Sequence, residues 1–252
     1  MAPLALAAVW FGDPYFPLLV LLASIGMAHE WARLAGGERI AIRATIAATV
    51  AAAVIVLWLG VGFLALDIAL MGAVMVWLVA RLARAAAPLW LAAGTLWLTL
   101  PAMAMVWIAD GRNGRYVIFF LLAVVWASDI GAYAAGRAIG GPRLAPALSP
   151  NKTWAGAVGG LAAAGLVGLA AALLAGLPMA AVMVAGLVLA VAAQLGDLAE
   201  SLAKRHFGVK DSGNLIPGHG GLLDRLDSLL TASSVAALIL LLGAGAGFGW
   251  HP

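Results

Sequence analysis

Six of the 11 carboxylates in this chain fall between positions 126 and 228: Asp129, Asp197, Glu200, Asp211, Asp224 and Asp227. Asp197 and Glu200 are three residues apart, as are Asp224 and Asp227, so a helix presents each pair on one face. The chain has no cysteine and only four histidines. Paired carboxylate oxygens in that setting suit a hard ion such as Mg2+ rather than zinc. Asp197, Glu200, Asp224 and Asp227 are therefore the candidate metal ligands, and Asp197, Asp224 and Asp227 also candidate catalytic residues. A competing reading has these acids pair with Lys204, Arg205 and Arg225 and simply hold helix ends together.

Anion-binding chemistry lies in the same stretch. Residues 204–228 read KRHFGVKDSGNLIPGHGGLLDRLDS, with Gly218, His219, Gly220 and Gly221 forming a turn ahead of Asp224. Glycines permit positive φ and expose backbone N–H groups, and a helix N-terminus after such a turn favours an anion. Lys204, Arg205, Lys210 and Arg225 add full positive charge, so the expectation is a phosphate site beside a divalent-ion site. His219 orients a phosphate oxygen or only shapes the turn.

A second polar island holds Ser128-Asp129, Gly136-Arg137 and Ser149-Pro150-Asn151-Lys152-Thr153-Trp154. Ser149-Pro150 reads as a turn or helix-initiation signal, with Lys152 at the head of the next helix. Asn151 and Lys152 are expected to reach a polyanionic substrate, Lys152 as a catalytic candidate and Asn151, Asp129 and Arg137 as substrate-binding ones; the alternative for Lys152 is a topological anchor. At the other end of the chain, His29-Glu30 with Arg33 offers one histidine, too few for zinc, and is expected to form an interfacial ion pair.

The elements that must position these residues are membrane helices. Of 252 residues, 10% are charged and 65% hydrophobic, against roughly a quarter charged in a soluble domain. Apolar runs at 17–32, 44–60, 62–80, 88–108, 116–136, 154–176, 179–200 and 228–248 are each about long enough to cross ~30 Å of hydrocarbon. The expected fold is all-α: a polytopic integral membrane helical bundle of about eight spans, seven to nine. It divides into N-terminal helices over 1–125 and a catalytic region over 126–252 within one continuous membrane domain. The first residues lack the positive stretch and cleavage site of a signal peptide.

Twelve of the 14 Lys and Arg residues lie in the odd-numbered loops, which the positive-inside bias assigns to the cytoplasm. That excludes glycosylation at Asn151-Lys152-Thr153 and explains the net charge of +3 without a nucleic-acid partner. Gly156, Gly160, Ala164, Gly168, Ala172 and Gly176 form a small-residue stripe spaced by four, a close-packing face for a helix of the same molecule or for a homodimer seam.

The blocks Ser201-Leu202-Ala203-Lys204-Arg205, Lys210-Asp211, Pro217-Gly218-His219-Gly220-Gly221 and Leu223-Asp224-Arg225-Leu226-Asp227-Ser228 resemble the C-terminal signature of the phosphatidate cytidylyltransferases. Ser128 to Tyr133, Gly136-Arg137 and Ser149 to Trp154 are similar to that family's other polar blocks. The likeness covers about residues 126–230, and it departs at Ser212, where the family pattern commonly has an aromatic. The resemblance implies an integral membrane enzyme of the bacterial inner membrane, with its site on the cytoplasmic side. It implies condensation of CTP with phosphatidic acid to CDP-diacylglycerol and pyrophosphate, with Mg2+ and a monovalent cation such as K+. It also implies metal ligation by Asp197 and Asp224.

Two alternatives follow from the same residues. A CTP-dependent polyprenol or phytol kinase would transfer the γ-phosphoryl to an alcohol instead. An ion-coupled secondary transporter would use intramembrane acids for its coupling ion, although these acids cluster at helix ends and no inverted repeat is visible.

Overall fold

A computed structural model describes residues 2–215 and 220–243 of the chain. In a lipid setting an apolar run must bond its own backbone polar groups, and the α-helix does so within one segment. The described residues form nine helices and one short hairpin. Seven of the helices are long and apolar enough to cross a membrane. The protein is an all-α, polytopic integral membrane protein.

Two compact units are present. The first contains residues up to Trp107 together with Lys204–Leu226, and the second contains Ile108–Ala203 and the chain from Asp227. The first unit holds α1 (Ala2–Phe11), α2 (Tyr15–Leu34), α3 (Ile40–Trp58), α4 (Gly62–Leu82) and most of α5 (Pro88–Asp110). Hydroxyls within its helices bond back one turn: Thr49 Oγ1 donates to Thr45 O at 2.8 Å and Thr95 Oγ1 to Leu91 O at 2.8 Å. This satisfies a polar side chain where no water competes. Gly72 on α4 has no room for a Cβ against Thr49 of α3, and Gly94 on α5 has none against the Trp31 ring of α2. These contacts bring the backbones close without any hydrophobic drive between helices.

The second unit contains α6 (Gly114–Ala138), strands β1 (Arg143–Ala145) and β2 (Ser149–Thr153), α7 (Trp154–Ala175), and most of α8 (Met179–His206) and α9 (Leu223–Leu241). The small-residue stripe from Gly156 to Ala172 is the buried face of α7. A Cβ on Gly156 would lie 2.8 Å from Ala132 O of α6, and one on Gly168 would lie 2.9 Å from the Met183 Cα of α8. The stripe is thus used within the unit, first against α6 and then against α8. Gly176 ends α7 with φ +66°, the left-handed conformation that glycine adopts without a Cβ penalty.

Two features differ from the sequence reading. Residues 149–153, read as a turn or helix start, form β2, which pairs antiparallel with β1 through Arg143 opposite Thr153 and Ala145 opposite Ser149. The eighth expected span, 228–248, corresponds to α9, which begins earlier and carries Asp224, Arg225 and Asp227 in its first turns. Residues 244–248 of that span lie outside the described residues.

Candidate active site

Three of the predicted acids converge in the second unit. Asp197 and Glu200 share a face of α8, as their spacing requires, and α9 adds Asp227. Each offers an oxygen within 4.8 Å of the others. Gly196 makes this approach possible: a Cβ there would lie 2.8 Å from the Asp227 carbonyl oxygen and would collide with Thr231 Oγ1. Glu200 is 1% and Asp227 8% exposed, so both carboxylates are withdrawn from bulk water. Asp227 Oδ1 accepts the Ser228 N–H at 2.8 Å.

Lys152, on β2, forms an ion pair with Asp197. Asp129 on α6 interacts electrostatically with both members of that pair. The strand ends where Thr153 caps α7, its Oγ1 accepting the Gly156 N–H at 3.0 Å. Gln194 ties three helices together one turn before Asp197: its Nε2 donates to Ala157 O of α7 at 3.2 Å and to Ser128 Oγ of α6 at 3.4 Å. Neither Thr153 nor Gln194 was singled out from the sequence as a site residue.

The donor set of this cluster is entirely carboxylate oxygen. Three acids this close repel one another unless donors, protons or a cation offset their charge. Oxygen ligands without sulfur or imidazole suit a hard divalent ion. Asp197, Glu200 and Asp227 therefore fit Mg2+ by chemistry as well as by proximity.

A family model described as the cytidylyltransferase family matches residues 1–242. The chain belongs to this family. Among its relatives, the phosphatidate cytidylyltransferase of Brucella suis biovar 1 (strain 1330) is 57% identical over 136 residues, covering 54% of this chain and 49% of the relative. That of Bacillus subtilis (strain 168) is 46% identical over 121 residues, 47% of this chain and 45% of the relative. A third, from Rickettsia bellii (strain RML369-C), is 36% identical over 151 residues, 56% and 64% of the two chains. The chain thus spans about half the length of most of the curated relatives it matches.

In this cytidylyltransferase-family chain the fourth predicted acid lies in the first unit, in different surroundings. Asp224 Oδ1 accepts Lys204 Nζ at 2.8 Å, and Asp224 Oδ2 accepts the Ser212 N–H at 3.0 Å, Ser212 Oγ at 2.9 Å and the Gly221 N–H at 3.0 Å. The Lys204 and Asp224 side chains are 14% and 12% exposed. Gly220 takes φ +82°, turning the chain so that the Gly221 N–H faces the carboxylate. Ser212, where the sequence departs from the family pattern, supplies two of these donors.

The helix start expected to hold an outside anion is occupied by protein carboxylates. The Gly221 N–H goes to Asp224, and the next two, Leu222 and Leu223, donate to Glu30 of α2 at 2.9 and 2.8 Å. Glu30 is buried at the start of α9 rather than paired with Arg33 at an interface.

The remaining candidates are on surfaces. Arg205, Lys210, Asp211 and Arg225 are exposed in the first unit, and Arg205 Nη1 donates to Val209 O at 3.4 Å. Asn151 is exposed on β2, and Arg137 Nη1 donates to the Tyr133 hydroxyl at 3.0 Å. His219, with Pro217 and Gly218, lies outside the described residues.

Proposed function

We propose that this protein transfers a cytidylyl group from CTP to phosphatidic acid, giving CDP-diacylglycerol and pyrophosphate for phospholipid synthesis. The observation that carries the reading is the three-acid cluster of Asp197, Glu200 and Asp227, with Lys152 paired to Asp197. It occurs in a chain of the cytidylyltransferase family whose relatives are named phosphatidate cytidylyltransferase.

Asp197, Glu200 and Asp227 would hold Mg2+, and Asp224 is proposed as a further ligand that must release Lys204 Nζ to bind it. The ion, when bound, neutralises triphosphate charge and stabilises the leaving pyrophosphate. A monovalent cation such as K+ belongs to the same proposal.

The reaction asks little of the protein in proton transfer. A phosphate oxygen of phosphatidic acid is already a nucleophile; it forms a new P–O bond at the α-phosphorus of CTP while the bond to the β-phosphate bridging oxygen breaks. That electron pair leaves with pyrophosphate. The residues instead orient two polyanions and offset their repulsion. Lys152 and Asn151 of β2 meet nucleotide or lipid phosphate, with Asp129 holding Lys152 electrostatically. Lys204, Arg205, Lys210 and Arg225 bind the triphosphate; Arg137 and His219 complete the substrate-binding set.

The positive-inside bias supports a cytoplasmic site in a bacterial inner membrane, facing the compartment that supplies CTP, with lipid entering from the bilayer. A homodimer remains part of the proposal, although the α7 stripe no longer argues for one, because it packs within the unit.

Purified protein in phosphatidic acid-containing nanodiscs, given radiolabelled CTP and Mg2+, should form labelled CDP-diacylglycerol and release pyrophosphate. Formation of CDP and a lipid phosphate from an added prenol would point to the kinase instead. No CDP-diacylglycerol at any Mg2+ or K+ concentration would overturn the proposal.

A further inference from the structure

Glu30 lies near the end of α2, where the sequence suggested an ion pair with Arg33 and no part in the site. It is 1% exposed. Each of its carboxylate oxygens is taken by a backbone N–H from a segment 192 or 193 positions away: Oε1 by Leu222 and Oε2 by Leu223. These N–H groups open α9, where the first turn has no intrahelical acceptors. A negative charge there gains from charge-assisted bonds and from the helix dipole together.

The same carboxylate also abuts the facing loop. A Cβ on Gly213 would lie 2.7 Å from Glu30 Oε1. The preceding residue, Ser212, is the one that gives its N–H and its Oγ to Asp224. Glu30 is therefore in contact with both chain segments that enclose the Asp224 carboxylate: the Ser212-Gly213 stretch and the Leu222-Leu223 helix start.

We propose that Glu30 is a positioning residue, a carboxylate from the N-terminal helices that fixes the first turn of α9 and so sets where Asp224 and Lys204 stand. This rests on the functional reading above, in which that pair serves metal and triphosphate. A carboxylate is specifically required. Glutamine has the same shape, but its one acceptor oxygen serves one N–H while its amide group turns a donor toward the other. Alanine leaves both N–H groups buried with no acceptor.

The test uses full-length wild type, Glu30→Gln, Glu30→Ala and, as an exposed-acid control, Glu38→Gln, all in nanodiscs. Amide hydrogen exchange without metal should quicken about 10-fold over 220–226 in Glu30→Gln, and further in Glu30→Ala. Exchange in α6 and α7 should not change, and Glu38→Gln should match wild type. Mn2+ affinity, read by electron paramagnetic resonance, should fall about 10-fold in Glu30→Gln. A merely structural role would lower thermal stability and leave Mn2+ affinity where it was.

Unchanged exchange over 220–226 overturns the proposal, as does faster exchange with unaltered Mn2+ binding. Where Glu30→Ala does not fold, the shape-matched Gln variant decides. CDP-diacylglycerol synthesis by wild type is measured on the same preparation. Its failure removes the functional reading while exchange still decides Glu30; an active wild type with indifferent Glu30 variants removes this inference alone.

Discussion

Asp224 and Asp227 are three residues apart on α9, yet one sits among donors and the other among acids. Asp224 receives an ammonium, two backbone N–H groups and a hydroxyl. Asp227 has Asp197 and Glu200 for neighbours, with oxygens within 4.8 Å. The first carboxylate is held by four donors, while the second stands close to two further acids in a set of oxygens that suits a hard cation. Residue type and helix spacing are the same in both cases, so surroundings decide what each acid contributes.

That contrast breaks most visibly when one acid in each region is made neutral. Asp227→Asn should lower CDP-diacylglycerol synthesis on the order of 100-fold or more. In EDTA-containing buffer it should cost less stability than Asp224→Asn, because the neutral amide relieves repulsion from Asp197 and Glu200. Asp224→Asn should cost about 1–3 kcal/mol, since the new amide faces donors that had a carboxylate. Denaturation of both variants with and without EDTA reads the difference. If Asp227→Asn destabilised the EDTA-treated protein as much as Asp224→Asn, the two regions would not differ as described.

The two lysine pairs sharpen the same contrast at lower cost. Lys152 and Asp197 are 27% and 33% exposed, about twice as open as Lys204 and Asp224 at 14% and 12%. Lys152→Ala should change stability by less than about 1 kcal/mol, as for other solvent-screened pairs. Its larger effect should be kinetic, a roughly 10-fold loss in kcat/KM, if the ammonium meets a substrate phosphate. Steady-state kinetics alongside thermal melts separate the two, and a stability loss with normal kinetics would make Lys152 an anchor only.

How much of this was legible in the sequence follows from the range of each interaction. The membrane helices were, because a long apolar run carries its own signal: the expected 62–80 and 154–176 are Gly62–Leu82 and Trp154–Ala175. The pairing of Asp197 with Glu200 was also legible, being a matter of one turn. Asp227 was named with them from its residue type and spacing alone; how it reaches them depends on α8 and α9 meeting at Gly196. The β1–β2 hairpin escaped notice because Ser149-Pro150-Asn151-Lys152-Thr153 has no apolar alternation and reads as punctuation. Glu30 was least legible, since its partners are almost the whole chain away and its neighbour Arg33 offered a plausible local pair.

The smallest effect concerns how the hairpin delivers Lys152. Thr153 is both the last residue of β2 and the N-cap of α7, so the strand's end and the helix's start are one residue. Removing Oγ1 frees the Gly156 N–H and should cost about 1 kcal/mol. Thr153→Ala should therefore melt slightly lower, and Thr153→Ser, which keeps the acceptor, should recover most of the difference. Activity is the more informative readout. The Arg143 to Thr153 pairing persists through backbone, so Lys152 should stay in register and kcat/KM should change by less than about 3-fold. A loss as large as that of Lys152→Ala would mean that the cap, rather than the strand pairing, holds the lysine beside Asp197.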